Sequence, residues 1–220
     1  MFFDLTHDFS LEDAFHIAEH RVHLKSAGTE YTGVKYLYTV PGMASSYLDL
    51  PGHIAETDDG RRGDSIPANL FYRMPAKVLR LHRQSGDGAV TADDLLKSAN
   101  GDFQAPCIIV NALGDLNPRD IDERSVYLTF DALEFLQAHG CRLLVSDIFE
   151  SQRLDGVFLW LFRHGISTVC EPINLGRLPL DLPVCFSAIF PPLPATQLPC
   201  RIFAETEERK SHNVKSSATC

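Results

Sequence analysis

The sequence predicts an α/β fold, and three observations carry that prediction. Two segments, about 129–138 and 156–163, place apolar residues at helical spacing. Each then passes through a His-Gly pair into a short apolar run, 143–145 and 166–170, as helices feeding buried strands do. Runs rich in β-forming residues also recur on both sides of these units. Finally, 220 residues at 45% hydrophobic content suffice for one core of ordinary size.

The elements follow in order. Phe2-Phe3-Asp4-Leu5 is a short apolar run. Ser10-Leu11-Glu12-Asp13 has the spacing of a capping box and predicts a short helix through about His20. Residues 34–40, Val-Lys-Tyr-Leu-Tyr-Thr-Val, predict a strand that stops at Pro41-Gly42. Residues 77–82 alternate apolar and basic side chains, as a half-buried strand does. Thr91-Ala92-Asp93-Asp94 opens a capped helix to about 98, and 107–110 is a buried strand between Pro106 and Asn111. Thr129 is placed to cap a helix with Ala132, Leu133, Phe135 and Leu136 on one face. His139-Gly140 closes it, with glycine in the left-handed position. The strand at 143–145 ends at Ser146-Asp147. The second unit runs from about Gly156 to Arg163 and then into 166–170. Strands at 184–190 and 200–204 complete a single domain over 1–204, and the polar stretch 205–220 reads as a flexible tail.

Charge narrows the function. Twenty Lys+Arg against 29 Asp+Glu leave a net charge of −9. Such a chain gains no counterion-release affinity, and Arg61-Arg62 and Arg80 with Arg83 are too small a footprint for nucleic acid. No apolar run reaches the roughly 20 residues of a membrane span. The start, Met-Phe-Phe-Asp, lacks the basic head of a secretory signal, so a cytoplasmic protein with no membrane partner is expected. Five of the six cysteines lie in apolar contexts without close ligand spacing, which favours buried reduced thiols over disulfides or a zinc knot.

The densest cluster of reactive side chains is Ser45-Ser46-Tyr47-Leu48-Asp49-Leu50-Pro51-Gly52-His53. It follows a strand and a Pro-Gly break, where functional loops commonly lie. Asp49 and His53 suit metal ligation or acid–base work, and Tyr47 points with Asp49 if the segment is extended. Taken alone, a loop aspartate and a solvated histidine also explain it.

The segment belongs to a longer pattern. Asp4-Leu5-Thr6-His7 precedes it, and residues 43–53 read Met-Ala-Ser-Ser-Tyr-Leu-Asp-Leu-Pro-Gly-His. Later come Gly140-Cys141-Arg142-Leu143-Leu144-Val145-Ser146-Asp147 and Gly165-Ile166 with Glu171, Ile173-Asn174-Leu175 and Arg177-Leu178-Pro179. Pro199-Cys200-Arg201-Ile202-Phe203-Ala204 closes the series. In order and spacing these pieces resemble the cyclase family that includes bacterial kynurenine formamidase and isatin hydrolase. The resemblance implies a swivelling β/β/α domain, a mixed sheet with packed helices, in a homo-oligomer. It also implies hydrolysis of a C–N bond in a small-molecule substrate, such as an N-formyl aniline or cyclic amide. The family uses a divalent metal, zinc or manganese, to activate water, and a histidine to shuttle protons.

Carried over residue by residue, the resemblance makes Asp49 and Glu171 metal ligands and His53 the catalytic acid–base, with Asp49 and Tyr47 beside it. The family's signature is H-x-G-T-H-x-D-x-P-x-H, and its first two histidines are here Met43 and Tyr47. Its histidine ahead of the glutamate falls on Phe158 or Leu159. A thioether is too soft for zinc or manganese, and a phenol is mostly neutral at pH 7. A weakly bound or absent metal is therefore expected. Without a cation, one of Asp49 and Glu171 should have a raised pKa or recruit a basic group or water.

Two readings follow, a divergent hydrolase with a degenerate metal site and an inactive relative serving as a binding or assembly module. Other motifs weigh less. His16-Ile17-Ala18-Glu19-His20 matches the H-x-x-E-H zinc motif if helical, but the motif has only three fixed letters, and a solvated polar helix face carrying His16, Glu19, His20 and His23 is the preferred reading. Cys170 beside Glu171 reads as a buried thiol rather than a nucleophile. Asp147 either lines the same cleft or caps the next turn.

Overall fold

The architecture was read from a computed structural model, which describes residues 1–9, 15–83, 87–121, 125–148 and 156–206. The centre is a set of parallel strands, β5 (Met74–Arg80), β7 (Cys107–Asn111), β9 (Leu143–Ser146) and β10 (Ser167–Cys170). Their near-continuous apolar sequences suit strands covered on both faces. Antiparallel strands flank them: β11 (Val184–Ile189), β13 (Arg201–Thr206) and β1 (Phe2–Asp4) on one side, β4 (Tyr47–Asp49) and β12 (Gln197–Pro199) on the other. Among the described residues this gives nine strands in the order β1-β13-β11-β5-β7-β9-β10-β4-β12. The expected mixed sheet with packed helices is found. β13 runs to Thr206, two residues beyond the boundary read from the sequence, and the rest of the tail lies outside the described residues.

The period-2 alternation of the strands sorts their side chains into two cores. Ile109, Val145, Val169 and Leu48 face one core with Phe186, Leu198 and Ile202. Ile108, Val110 and Leu144 face the other, which α1 (Ala92–Ala99), α2 (Phe130–Ala138) and α3 (Val157–Arg163) cover with Leu95, Leu133, Leu136 and Leu161. α1 is capped as predicted, and the cap is a capping box, in which Thr91 and Asp94 satisfy each other's backbone N–H. Gly140, at φ +80°, ends the α2 unit as expected. Thr129 does not cap α2 with its side chain; its hydroxyl donates to the Val90 carbonyl at 3.0 Å. A small parallel pair, β6 (Asp87–Val90) and β8 (Ser125–Leu128), was not apparent in the sequence.

Residues 10–14 lie outside the described residues, but His16–Ser26 forms strand β2, paired in full register with β3 (Thr29–Thr39). Ala27 and Gly28, both at positive φ, make the tight turn a twisted hairpin favours. Eleven cross-strand pairs with a partner rich in Tyr, Thr and Val make residues 16–20 strand rather than the end of a helix. On a strand, His16 and His20 are about 13 Å apart and cannot share one ion, so the zinc motif is excluded. The hairpin stands off the body with nearly every residue exposed, including Leu24, Tyr31, Val34, Tyr36, Leu37 and Tyr38.

Candidate active site

β4 carries the site. The segment expected to be a loop is a buried strand, paired on one edge with β10 and on the other with β12. Register sets Asp49 between Thr168 and Gln197, and Tyr47 between Cys170 and Pro199. Cross-strand partners share a face, so Tyr47, Asp49, Cys170 and Gln197 gather on one side while Leu48, Val169 and Leu198 enter the first core. A 3-10 turn at Pro51–His53 then reverses the chain and brings exposed His53 to Gln197, with the two Nε2 atoms 3.4 Å apart.

These residues line a cavity of about 310 Å³. Its polar side is Tyr47, Asp49, His53, Cys170, Glu171 and Gln197, and its apolar wall is Met43, Ile54, Ile148 and Phe158. The structure thus collects Tyr47, Asp49, His53 and Glu171, chosen from sequence, around one space. Asp147 does not line it. Its carboxylate accepts from the N–H groups of Ala112 (2.7 Å) and Leu113 (3.1 Å) and from Asn111 Nδ2 (2.9 Å), which ties the end of β9 to the end of β7.

Electrostatics set the protonation states. Asp49 is 4% exposed. Burial pushes its carboxyl above the usual carboxylate range; nearby His53 and the Gln197 amide, donating to Oδ1 at 3.0 Å, oppose the rise. The raised acid expected here is therefore Asp49, and burial rather than Glu171 raises it. Burial also pushes up the Tyr47 phenol, reinforced by Cys170, Asp49 and Glu171, and the Cys170 thiol, reinforced by Asp49. Both remain protonated hydrogen-bond donors at neutral pH, so Cys170 is a neutral thiol, as read from sequence.

The first segment of the pattern buttresses this wall. The His7 N–H donates to Ser46 Oγ (2.8 Å), and Ser46 Oγ donates to the Glu171 carbonyl (2.8 Å). That bond restrains Glu171 in a left-handed conformation, φ +55°, which a non-glycine residue adopts only when held. Asn174 Nδ2 donates to the Asp4 carbonyl (3.0 Å), and the Thr6 hydroxyl donates to the Ile202 carbonyl (3.0 Å). Four of the separated sequence pieces thereby meet.

The donor set does not fit a zinc or manganese centre. Among the described residues, no group of three or more His, Cys, Asp or Glu side chains is arranged to hold a metal. Met43 is soft, Phe158 has no donor, and Tyr47 and Cys170 are held protonated. Both Asp49 oxygens already face protein donors, Gln197 Nε2 at 3.0 Å and Cys170 Sγ at 4.0 Å. Gln197 is the site residue that sequence reasoning missed. Only its register opposite Asp49 reveals it, because a lone glutamine in a three-residue strand carries no signal of its own. Among the cysteines, Cys107, Cys141, Cys170 and Cys200 are free thiols as expected, whereas Cys185 is disulfide-bonded.

No family model and no curated protein matches the sequence. Solved structures do match the fold. An isatin hydrolase bound to the product analogue thioisatinate is 16% identical, with TM-score 0.71 over 92% of this chain and 91% of its own. Isatin hydrolase A from Labrenzia aggregata, bound to benzyl benzoate, is 16% identical with TM-score 0.70 over 93% of each chain. A potential metal-dependent hydrolase with cyclase activity is 16% identical with TM-score 0.61, over 93% of this chain and 96% of its own. At that identity the likeness concerns the backbone, and the conclusion it supports is that this chain has the cyclase-type α/β fold of the isatin hydrolases.

Proposed function

We propose that this protein is a hydrolase that opens a C–N bond in a small amide, formamide or cyclic amide, using its own acid–base groups. The observation that carries the reading is the convergence of Asp49, His53 and Tyr47 on one cavity with an apolar wall. A volume of about 310 Å³ is at the small end of ligand pockets and suits a compact aromatic or bicyclic substrate. The fold neighbours that act on isatin and the apolar wall of Ile54, Ile148 and Phe158 point to the same substrate class.

In this reading His53 at the cavity rim takes the proton of the attacking water and returns it to the leaving nitrogen. Tyr47, kept protonated by burial, donates to the oxygen that becomes negative as the carbonyl turns tetrahedral. Asp49 faces His53 through Gln197 and favours the transient imidazolium. Glu171 supplies the remaining carboxylate at the cavity wall. A zinc or manganese ion on Asp49 and Glu171, if recruited, would be weakly held, because two carboxylates are fewer than the three or four ligands of a tight site. The test is turnover of N-formyl anilines and small cyclic amides by the wild type, His53→Ala and Glu171→Ala. We expect losses of about 10²-fold or more for His53→Ala, and equal rates in all three proteins would refute the assignment.

One observation favours an assembly role alongside catalysis. A two-stranded hairpin is marginal in water without cover, yet this one exposes Tyr31, Val34, Tyr36, Leu37 and Tyr38. We propose that it packs against another copy of the chain, making a homo-oligomer.

A further inference from the structure

Gln197 sits where two functional side chains meet. Its Nε2 is 3.0 Å from Asp49 Oδ1 and 3.4 Å from His53 Nε2. A carboxamide nitrogen carries two hydrogens, enough to serve both. The orientation follows from the carboxylate, since turning the amide over would put two acceptor oxygens against each other. The far side of the amide is fixed by Gly42. A Cβ there would lie 2.7 Å from Gln197 Oε1, 3.0 Å from Cγ and 3.2 Å from Cδ. Gly42 is not at positive φ, so its backbone does not require glycine, and the lack of a side chain serves as clearance for Gln197. The pairing of Gln197 with Asp49 across β12 and β4 sets the backbone. Three independent constraints therefore hold one amide.

We infer that Gln197 is a positioning residue: held over Gly42, its carboxamide donates to Asp49 and to His53 Nε2 and keeps the imidazole in the Nδ1–H tautomer. A nitrogen that accepts from an amide N–H must carry a lone pair, so its hydrogen resides on Nδ1. Nε2 is then the basic atom presented to the cavity. At 3.4 Å the amide contact is long, so it biases the tautomer while the attacking water competes for the same lone pair during turnover. The same amide satisfies Asp49 with an uncharged donor. The catalytic consequence rests on the hydrolase reading, whereas the tautomer does not.

Two-bond ¹H–¹⁵N correlation spectra of the histidine-labelled full-length protein read the tautomer directly, with the His53 signals identified by their loss in His53→Ala. The wild type should show Nδ1 protonated and Nε2 bare. Gln197→Ala should move His53 toward the Nε2–H form that free imidazole prefers. Gly42→Ala, which displaces the same side chain from a different segment, should do likewise, while the other histidine signals stay in place and report an intact fold. An Nε2–H tautomer in the wild type, or an unchanged His53 in both variants, overturns the inference. In hydrolysis assays Gln197→Ala should lower kcat about tenfold with KM unchanged. The wild-type tautomer without turnover of any amide would refute the hydrolase reading and leave the assignment of Gln197 standing.

Discussion

Burying a carboxyl group destabilises its charged form, and Asp49 bears that cost at the end of β4, where the Gln197 amide offsets only part of it. Its folded pKa is raised, chiefly by burial. A raised carboxyl contributes stability fully below the unfolded value of about 3.9, and that contribution is lost as pH climbs through the folded value. Asp49→Asn removes the titration and retains an acceptor for Gln197. Denaturant unfolding should therefore show the variant gaining on the wild type as pH rises above about 4, while hydrolysis falls. A wild type that gains on the variant over the same range would contradict the burial argument. Asp49, His53 and Tyr47 were legible because residue type and spacing announce acid–base chemistry. Gln197 was not, because its role exists only in the register of two strands 148 positions apart, and local sequence does not encode register.

At the scale of elements, sequence patterns read well wherever local and tertiary forces agree. Thr91–Asp94 looks like a helix start and is one, and 107–110 is apolar because it is buried on both faces. They read badly where pairing overrides local preference. His16–His20 has helical-looking neighbours yet belongs to a hairpin, and Tyr47–Asp49 looks like a loop after Pro41-Gly42 yet is flanked by two partner strands. The hairpin yields its own prediction. Light scattering should report more than one chain per particle for the intact protein. Replacing residues 18–37 by a two-residue turn, which keeps the His16–Thr39 end of the ladder, should yield a single chain. A monomeric intact protein at micromolar concentration would refute the proposed role.

For the whole molecule, the −9 charge and the lack of a basic stripe are consistent with a small-molecule site. Pieces of sequence at 4–7, 43–53, 165–179 and 199–204 converge although β1 and β13 lie at the opposite end of the strand order from β10 and β4: β12 runs directly into β13, the Cys200 N–H donates to the Ser46 carbonyl, and the Ile173 N–H donates to the Leu5 carbonyl. That convergence explains why their order and spacing already suggested the fold. No helix among the described residues is long and apolar enough to cross a membrane. The central claim is that the cavity hydrolyses C–N bonds through Asp49, His53 and Tyr47 rather than through a tightly held cation. The most direct measurement is turnover of isatin and N-formyl anilines by protein stripped with a chelator, followed by elemental analysis of the same sample. The account predicts that hydrolysis persists in metal-free protein and is abolished in His53→Ala. Turnover that disappears on chelation and returns with one equivalent of zinc or manganese would contradict it.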